Sequence, residues 1–439
     1  MEIAKTLEEA TPALNYEIPL PNGDERYTDF SKVRGDIKAM ARIRKSFERQ
    51  FHDEKIQVVF ASHRGAGKTT ELMRLSGQLK AYYETVYFEA SVEMDSNRFE
   101  MEDLLLVIAR FIELKMRELN KPLDDILLKN VENWFSEVVL SHEEGKKYLA
   151  GVHAEAKLEG GMPFFARLMA SLTASFKLES THRETVKQVL KKYTGALMEH
   201  VNVMLNAANS ILSNEGKKLL LIIDNMDRYN PQIIDELLVK STDMFKRIAC
   251  HLIVTPPISL VLRPESSNLS SDFECITMPT IRLRRKDQPY DAFEGLGYEC
   301  LLLALKKRID VDKLIPDKKT VDKLIAASGG SIREMLRTAR EATLEADGEY
   351  ISDEDMTNVL KRKRSTMGNI INFNGWWEPL IYIAKNKKVS NENAFLQVLF
   401  QRLAYQYNGE VWYDVHPLIT ELPEFQERMK REAVPGKEC

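Results

Sequence analysis

Ile56-Gln57-Val58-Val59-Phe60-Ala61-Ser62-His63-Arg64-Gly65-Ala66-Gly67-Lys68-Thr69-Thr70-Glu71-Leu72 is the stretch on which the reading of this chain turns. Its first part, Ile56 to Ala61, is apolar and β-branched enough for a parallel strand buried on both faces. Ser62 to Thr69 supply a tight turn in which Gly65 and Gly67 lack the Cβ that would block the curl. A helix follows through Glu71-Leu72-Met73-Arg74-Leu75. The backbone N–H groups of such a loop, with the helix N-terminus, form a nest for a phosphate. His63, Arg64, Gly65, Ala66, Gly67, Lys68, Thr69 and Thr70 are therefore the expected cradle. Lys68 would reach the β- and γ-phosphates of ATP, and the Thr69 hydroxyl would ligate Mg2+. The usual pattern opens with a glycine where this chain has Ser62, a small residue that tolerates the turn.

A second apolar run, Lys218-Leu219-Leu220-Leu221-Ile222-Ile223-Asp224-Asn225-Met226-Asp227-Arg228, ends in a carboxylate. It reads as a core strand beside the first one, delivering Asp224 to the carboxyl edge of the sheet as the second Mg2+ contact. Either run alone has an ordinary structural reading; together they point to a nucleotide site.

The rest of the chain bounds this reading. With 439 residues there is room for two or three domains, and 44% hydrophobic with 29% charged residues is ordinary for a globular protein. The net charge of −4 gives no general attraction to nucleic acid or membrane. Cys250, Cys275, Cys300 and Cys439 show no metal-ligand spacing, which fits a reducing compartment. Residues 1–20 lack the apolar core of a signal peptide, and no run approaches the ~20 apolar residues of a membrane helix, so a cytoplasmic protein is expected.

Pro12, Pro19, Pro21 and Asn22-Gly23 mark residues 1–30 as an extended arm, with helical pattern starting near Asp29-Phe30-Ser31 and running through Ile37, Ala41, Ile43 and Phe47. Residues 31–290 would form the α/β core, holding a second strand over Thr85 to Ala90 and a long helical insertion at 99–216. Gly160-Gly161 interrupt that insertion, and the apolar stretch Phe164 to Phe176 follows. Strands are expected at His251–Thr255 and, after a polar loop at Ser266 to Ser271, at Cys275–Leu283. An all-helical lid at 291–363 follows, then residues 364–439, where Asn408-Gly409 joins two alternating runs into a hairpin of winged-helix-like type.

This order resembles the AAA+ and STAND group of P-loop ATPases. Ser328-Gly329-Gly330-Ser331-Ile332-Arg333 is similar to their lid signature, in which Arg333 would reach the γ-phosphate. Val33-Arg34-Gly35-Asp36 is similar to a box that closes over adenine in origin-recognition-type members, and Thr255 takes the place of the polar sensor after the fourth strand. More narrowly, the loop, the lid and Trp412-Tyr413-Asp414-Val415-His416-Pro417 resemble uncharacterised bacterial ATPases suspected in conflict with phage or mobile elements. The resemblance implies ATP and Mg2+ as cofactors, a homo-oligomer and an effector protein as partner, and residues Lys68, Asp224, Asn225, Asp227 and Arg333 as the catalytic set.

One departure touches the chemistry. These families usually place an acid after the metal-binding Asp, whereas this chain has Asn225, which cannot take a proton from water. Asp227, Glu89 or Glu93 could hold the water instead, and slow hydrolysis is expected, with Asn225→Glu or Asn225→Asp raising it. The basic runs Arg282-Leu283-Arg284-Arg285-Lys286 and Lys361-Arg362-Lys363-Arg364 are solvated faces by default; the sharper options are an intersubunit arginine finger at Arg284 or Arg285 and phosphate contacts by the second run. His416 has no partner at metal-ligand spacing and reads as structural. The leading expectation is an ATP-dependent switch acting on a partner. A DNA-binding ATPase of initiator or transposition-regulator type, with nucleic acid not favoured, and a non-hydrolysing scaffold are the rivals.

Overall fold

In the computed structural model, the described residues are 3–34, 38–49, 55–95, 97, 99–140, 165, 188–262, 267–286, 288, 295–407 and 411–433. The unbroken apolar runs and the more polar stretches flanking them become strands of one parallel sheet: β1 (Gln57–Ser62), β2 (Tyr83–Glu89), β3 (Lys218–Asp224), β4 (His251–Val254) and β5 (Glu274–Met278), in the order β2-β3-β4-β1-β5. Alternate residues feed opposite faces, as a pleated strand requires. Leu219, Leu221 and Ile223 join a core with the insertion helices Met101–Glu118 and Thr194–Ser213. Leu220 and Ile222 pack on the other face against α2 (Ala39–Arg49) and α3 (Lys68–Leu79), counted after α1 (Leu7–Ala13). This is the α/β fold of a P-loop NTPase.

Several expectations are corrected. β3 does not lie beside β1, because β4 pairs with both and separates them. The fifth strand stops at Met278: Pro279 has no N–H for the ladder, and the Thr280 N–H goes to the Gln406 carbonyl at 3.0 Å. Ser267–Asp272 form a short helix where a polar loop was expected. The arm is not extended throughout. Thr6 caps α1 through the Glu9 N–H at 3.3 Å, Leu7 and Ala10 are buried, and Pro12, which has no N–H to give Glu8, lies in the last turn of this short helix. Ala4 exchanges backbone hydrogen bonds with Arg308 and Asp310, so the arm is docked on the lid. The helix expected from Asp29 begins only at Ala39, since the Asp29 carboxylate takes the Ser31 N–H at 2.8 Å and turns the chain locally.

The described parts of the insertion are helical, with Asp125–Leu140 the third element. The Gly160-Gly161 break, the Phe164 to Phe176 stretch apart from buried Phe165, Val186, Gly35-Asp36, Asn408-Gly409 and Cys439 lie outside the described residues. The lid comprises Leu296–Lys306, Val311–Leu314, Lys318–Ala327 and Ile332–Glu345, and its core includes Ala4, Leu7, Ala10, Leu14, Phe30 and Val33 of the arm. Gly330, at φ +85°, lets the lid touch the chain leaving β5, where a Cβ would stand 1.8 Å from the Ile281 carbonyl oxygen.

One 22-residue helix, Asp353–Asn374, begins in a Ser352–Asp355 capping box and ends at Gly375. Met356 and Val359 pack in the lid core and Ile371 in the C-terminal core, so the boundary expected at 363 falls inside a continuous helix. Beyond it, Trp377–Asn386, Asn393–Phe400, the antiparallel hairpin of β6 (Ala404–Tyr407) and β7 (Trp412–Val415), Pro417–Thr420 and Pro423–Ala433 complete the chain. Both hairpin strands are buried, because the hairpin lies against the P-loop and the lid.

Candidate nucleotide site

β1 ends at the carboxyl edge of the sheet, and the loop curls through Gly65 (φ +87°) and Gly67 (φ +93°) into α3. Gly67 gives α3 no side-chain cap, so the first turn presents backbone donors to the loop's concavity. Lys68 folds back into that concavity. Its Nζ donates to Ser62 Oγ at 2.9 Å and to Asp227 Oδ2 at 2.6 Å, in an ion pair whose members are each 5% exposed. The Asp227 carboxylate thus occupies the position of an anion before the lysine.

Asp224 is fully buried and collects neutral donors. Thr69 Oγ1 donates to it at 2.6 Å, Thr255 Oγ1 at 2.8 Å, Tyr87 OH at 3.1 Å and the Asn225 backbone N–H at 2.7 Å. The Thr69 hydroxyl and the Asp224 carboxylate fit Mg2+, which takes few hard oxygen ligands from protein and the rest from phosphate and water. Asn225 stands at φ 60°, a left-handed conformation that Asn tolerates, and its side-chain amide donates to Glu89.

The lid closes on the loop from above. The Arg333 N–H reaches the Gly65 carbonyl at 3.4 Å, and a Cβ on Gly65 would stand 2.8 Å from Arg333 Cβ. Arg34 is buried below, donating to the Ala66 carbonyl and approaching Met278 Sδ. Burial lowers the Arg333 pKa, and the neighbouring Arg228 and Arg402 lower it further. Burial and Arg402 do the same to Arg64. These cations repel one another, and a polyanion among them would relieve the repulsion.

The cavity, open to solvent, is lined by Arg64 to Glu71, Glu89, Asn225, Asp227 and Arg228, by Arg308, Ile332, Arg333 and Leu336 of the lid, and by the arm. The arm's Tyr16, Ile18, Pro19, Tyr27 and Phe30 give it an apolar wall suited to a flat base. Sequence reasoning missed this wall because the arm reached the site only by docking on the lid. It also missed Tyr87, although strand alternation places Tyr87 and Glu89 on one face. Thr70 accepts the Leu20 N–H at 3.3 Å and so ties the arm to α3.

Three expected residues do not line the cavity: Asp224, which is fully buried behind Thr69, together with Thr255 and His63. Thr255 sits behind Asp224. His63 turns the other way, where its Nε2 accepts the Gln406 N–H of β6 at 2.7 Å; burial and then Lys68 push its pKa down to about 3. Arg284, one of the two candidate fingers, is committed within its own chain to Asp414. Lys363, Arg362 and Arg364 of the second basic run pair with Glu334, Glu345 and Glu421. Glu93 pairs with Arg110 at 2.9 Å.

No family model matches the chain, and no curated protein matches it in sequence. Solved structures similar to it include the Aeropyrum pernix Orc1 protein in complex with DNA, at 9% identity over 97% of this chain and 98% of that one, with a TM-score of 0.40. Another is Drosophila ORC bound to DNA, at 11% identity over 98% of this chain and 92% of that one, with a TM-score of 0.37. A third is a Walker-type ATPase of Pyrococcus abyssi, at 11% identity over 93% of this chain and 99% of that one, with a TM-score of 0.44.

Proposed function

We propose that this chain is an ATP-binding, slowly ATP-hydrolysing switch of AAA+/STAND type that controls a protein partner or effector. Lys68 and the loop amides would hold the phosphates, Thr69 and Asp224 would hold Mg2+, which would supply positive charge against the phosphates, and Arg333 would answer the γ-phosphate in cis. Asp227 leaves Lys68 when the nucleotide arrives. The setting in anti-phage defence rests on resemblance alone.

The observation that carries the switch reading is the hydrogen bond from the Gln406 N–H to His63, which joins the phosphate loop to the C-terminal hairpin. A change in the loop on binding ATP is felt there directly. Hydrogen exchange at β6 with and without ATP and Mg2+ tests this: altered protection in the wild type and none in Lys68→Ala supports it, and identical exchange in both states overturns it. Calorimetric titration of folded Lys68→Ala with ATP should give no saturable heat, since the loop loses its phosphate-binding charge, and the variant's fold is checked separately because buried Asp227 loses its counter-charge.

DNA is the alternative partner, and two of the similar structures contain it. Arg362, Lys363 and Arg364 of the basic run that would grip phosphates are ion-paired to the chain's own acids, so a protein partner leads. Salt-dependent retention on DNA would reverse that order. Assembly of a homo-oligomer on ATP is part of the same proposal, with exposed Arg285 as the remaining candidate in trans.

A further inference from the structure

We infer that Glu89 is the water-activating carboxylate of this site and that Asn225 is its positioning residue. The inference rests on the ATPase reading above. In the β2–β3 ladder Glu89 lies directly opposite Asp224, so the two strands end with their acids side by side. The next residue, Asn225, is turned back by its positive φ, and its amide donates to Glu89 Oε2. Only the NH2 end of an amide can serve a carboxylate, which fixes the orientation of Asn225. Both residues line the cavity.

The other carboxylates there are spoken for. Glu71 accepts from Tyr27 OH at 3.1 Å and lies 3.5 Å from Arg74. Asp227 pairs with Lys68 here and, once a nucleotide displaces it, still sits in the turn Met226–Arg228 beyond the strand end, and Glu17 belongs to the arm. The acid missing after Asp224 is therefore supplied from the adjacent strand, one ladder step away. Position 225 could not supply it without strain, because a left-handed backbone suits Asn far better than Glu.

In the step this permits, a water oxygen bonds to the γ-phosphorus while its proton passes to a Glu89 carboxylate oxygen. The bond from that phosphorus to the bridging oxygen breaks, its electron pair stays with the β-phosphate, and ADP and inorganic phosphate result. Glu89 then returns the proton to solvent.

The test uses the full chain with ATP and Mg2+, measuring nucleotide affinity by calorimetry and turnover by phosphate release. Glu89→Gln keeps an acceptor for Asn225 but no base. It should bind ATP within about threefold of wild type and lose about 10²–10³-fold in kcat. Asn225→Ala should lose about tenfold in kcat with KM unchanged, and the double variant should be no slower than Glu89→Gln, because Asn225 acts only through Glu89. Asn225→Glu sets a second carboxylate against Glu89 and should lower turnover, reversing the expectation from sequence. Wild-type kcat in Glu89→Gln, additive losses in the double variant, or ATP binding by wild type without any hydrolysis each overturn the inference. Absence of ATP binding by the wild type overturns the ATPase reading itself.

Discussion

Asp224 and Asp414 are both buried, and each accepts the N–H of the residue after it, at 2.7 and 2.9 Å. Their remaining partners differ. Asp224 is met only by hydroxyls of Thr69, Tyr87 and Thr255 among the described residues. Asp414 is met by two cations, Arg284 and Lys387, the latter at 2.8 Å. Neutral donors hold a carboxylate in place and leave its charge unspent, which suits a metal ligand. Cations consume the charge, which makes a fastener of the hairpin. The same residue type at the same depth is left charged and open to a metal in one place and tied down as a latch in the other, and its partners decide which.

The largest expected effect breaks the first half of that contrast. Asp224→Ala should remove Mg2+-dependent phosphate release by about 10³-fold or more, since the metal's contribution is several kcal/mol. Turnover within tenfold of wild type would move the metal elsewhere. On the other side, Asp414→Ala leaves Arg284 and Lys387, 10% and 15% exposed, without their counter-charge. The loss should be about 3 kcal/mol in denaturant unfolding, and ATP affinity measured on the folded variant should change far less.

Acid sharpens the contrast further, because buried histidines stand on each side. Burial lowers the pKa of His63 to about 3 and those of His251 and His416 to about 4, from 6.5. Each is neutral when folded and binds a proton on unfolding below that value. Their contribution to stability is therefore complete above pH 6.5 and falls as pH drops toward 4. His63→Gln should flatten this fall by about 1.4 kcal/mol per pH unit, one proton's worth. An unchanged slope would mean that His63 is already protonated in the fold.

The smallest effect separates two neighbours in sequence. Arg285 is exposed and should change stability by less than about 0.5 kcal/mol on replacement by alanine, whereas Arg284 is part of the latch. Light scattering of Arg285→Ala with and without ATP and Mg2+ then isolates a contact in trans. The same mass gain as wild type would remove Arg285 from that role.

The two halves of the contrast were unequally legible. The Asp224 side is local: an unbroken apolar run, its terminal acid and the glycine turn from Ser62 to Thr69 read directly into β3, β1 and the loop. Asn225 was visible as a departure, but its meaning required knowing that Glu89 lies across the ladder, a pairing of residues 136 positions apart. The Asp414 side is wholly tertiary. Alternation in the hairpin suggests one wet face, and nothing local shows that the P-loop and lid cover it. The arm misled for a related reason: its prolines signal a loop, while burial of Leu7 and Ala10 on the lid stabilises a helix that local propensity does not favour.

Three contacts close a ring. His63 on the loop joins β6 through Gln406 at 2.7 Å, Tyr407 OH beside it donates to the lid carbonyl of Gly329 at 2.7 Å, and the lid returns to the loop from the Arg333 N–H to the Gly65 carbonyl at 3.4 Å. Mechanically this is a closed linkage of three stiff bodies, braced along one side by a helix of 22 residues, about 33 Å long. An open chain of bodies can flex at one joint while the others stay shut. A closed triangle cannot: opening the lid strains the hairpin joint, and freeing the hairpin loosens the lid. Under the switch proposed above, the three joints are therefore expected to open or shut together and not one at a time.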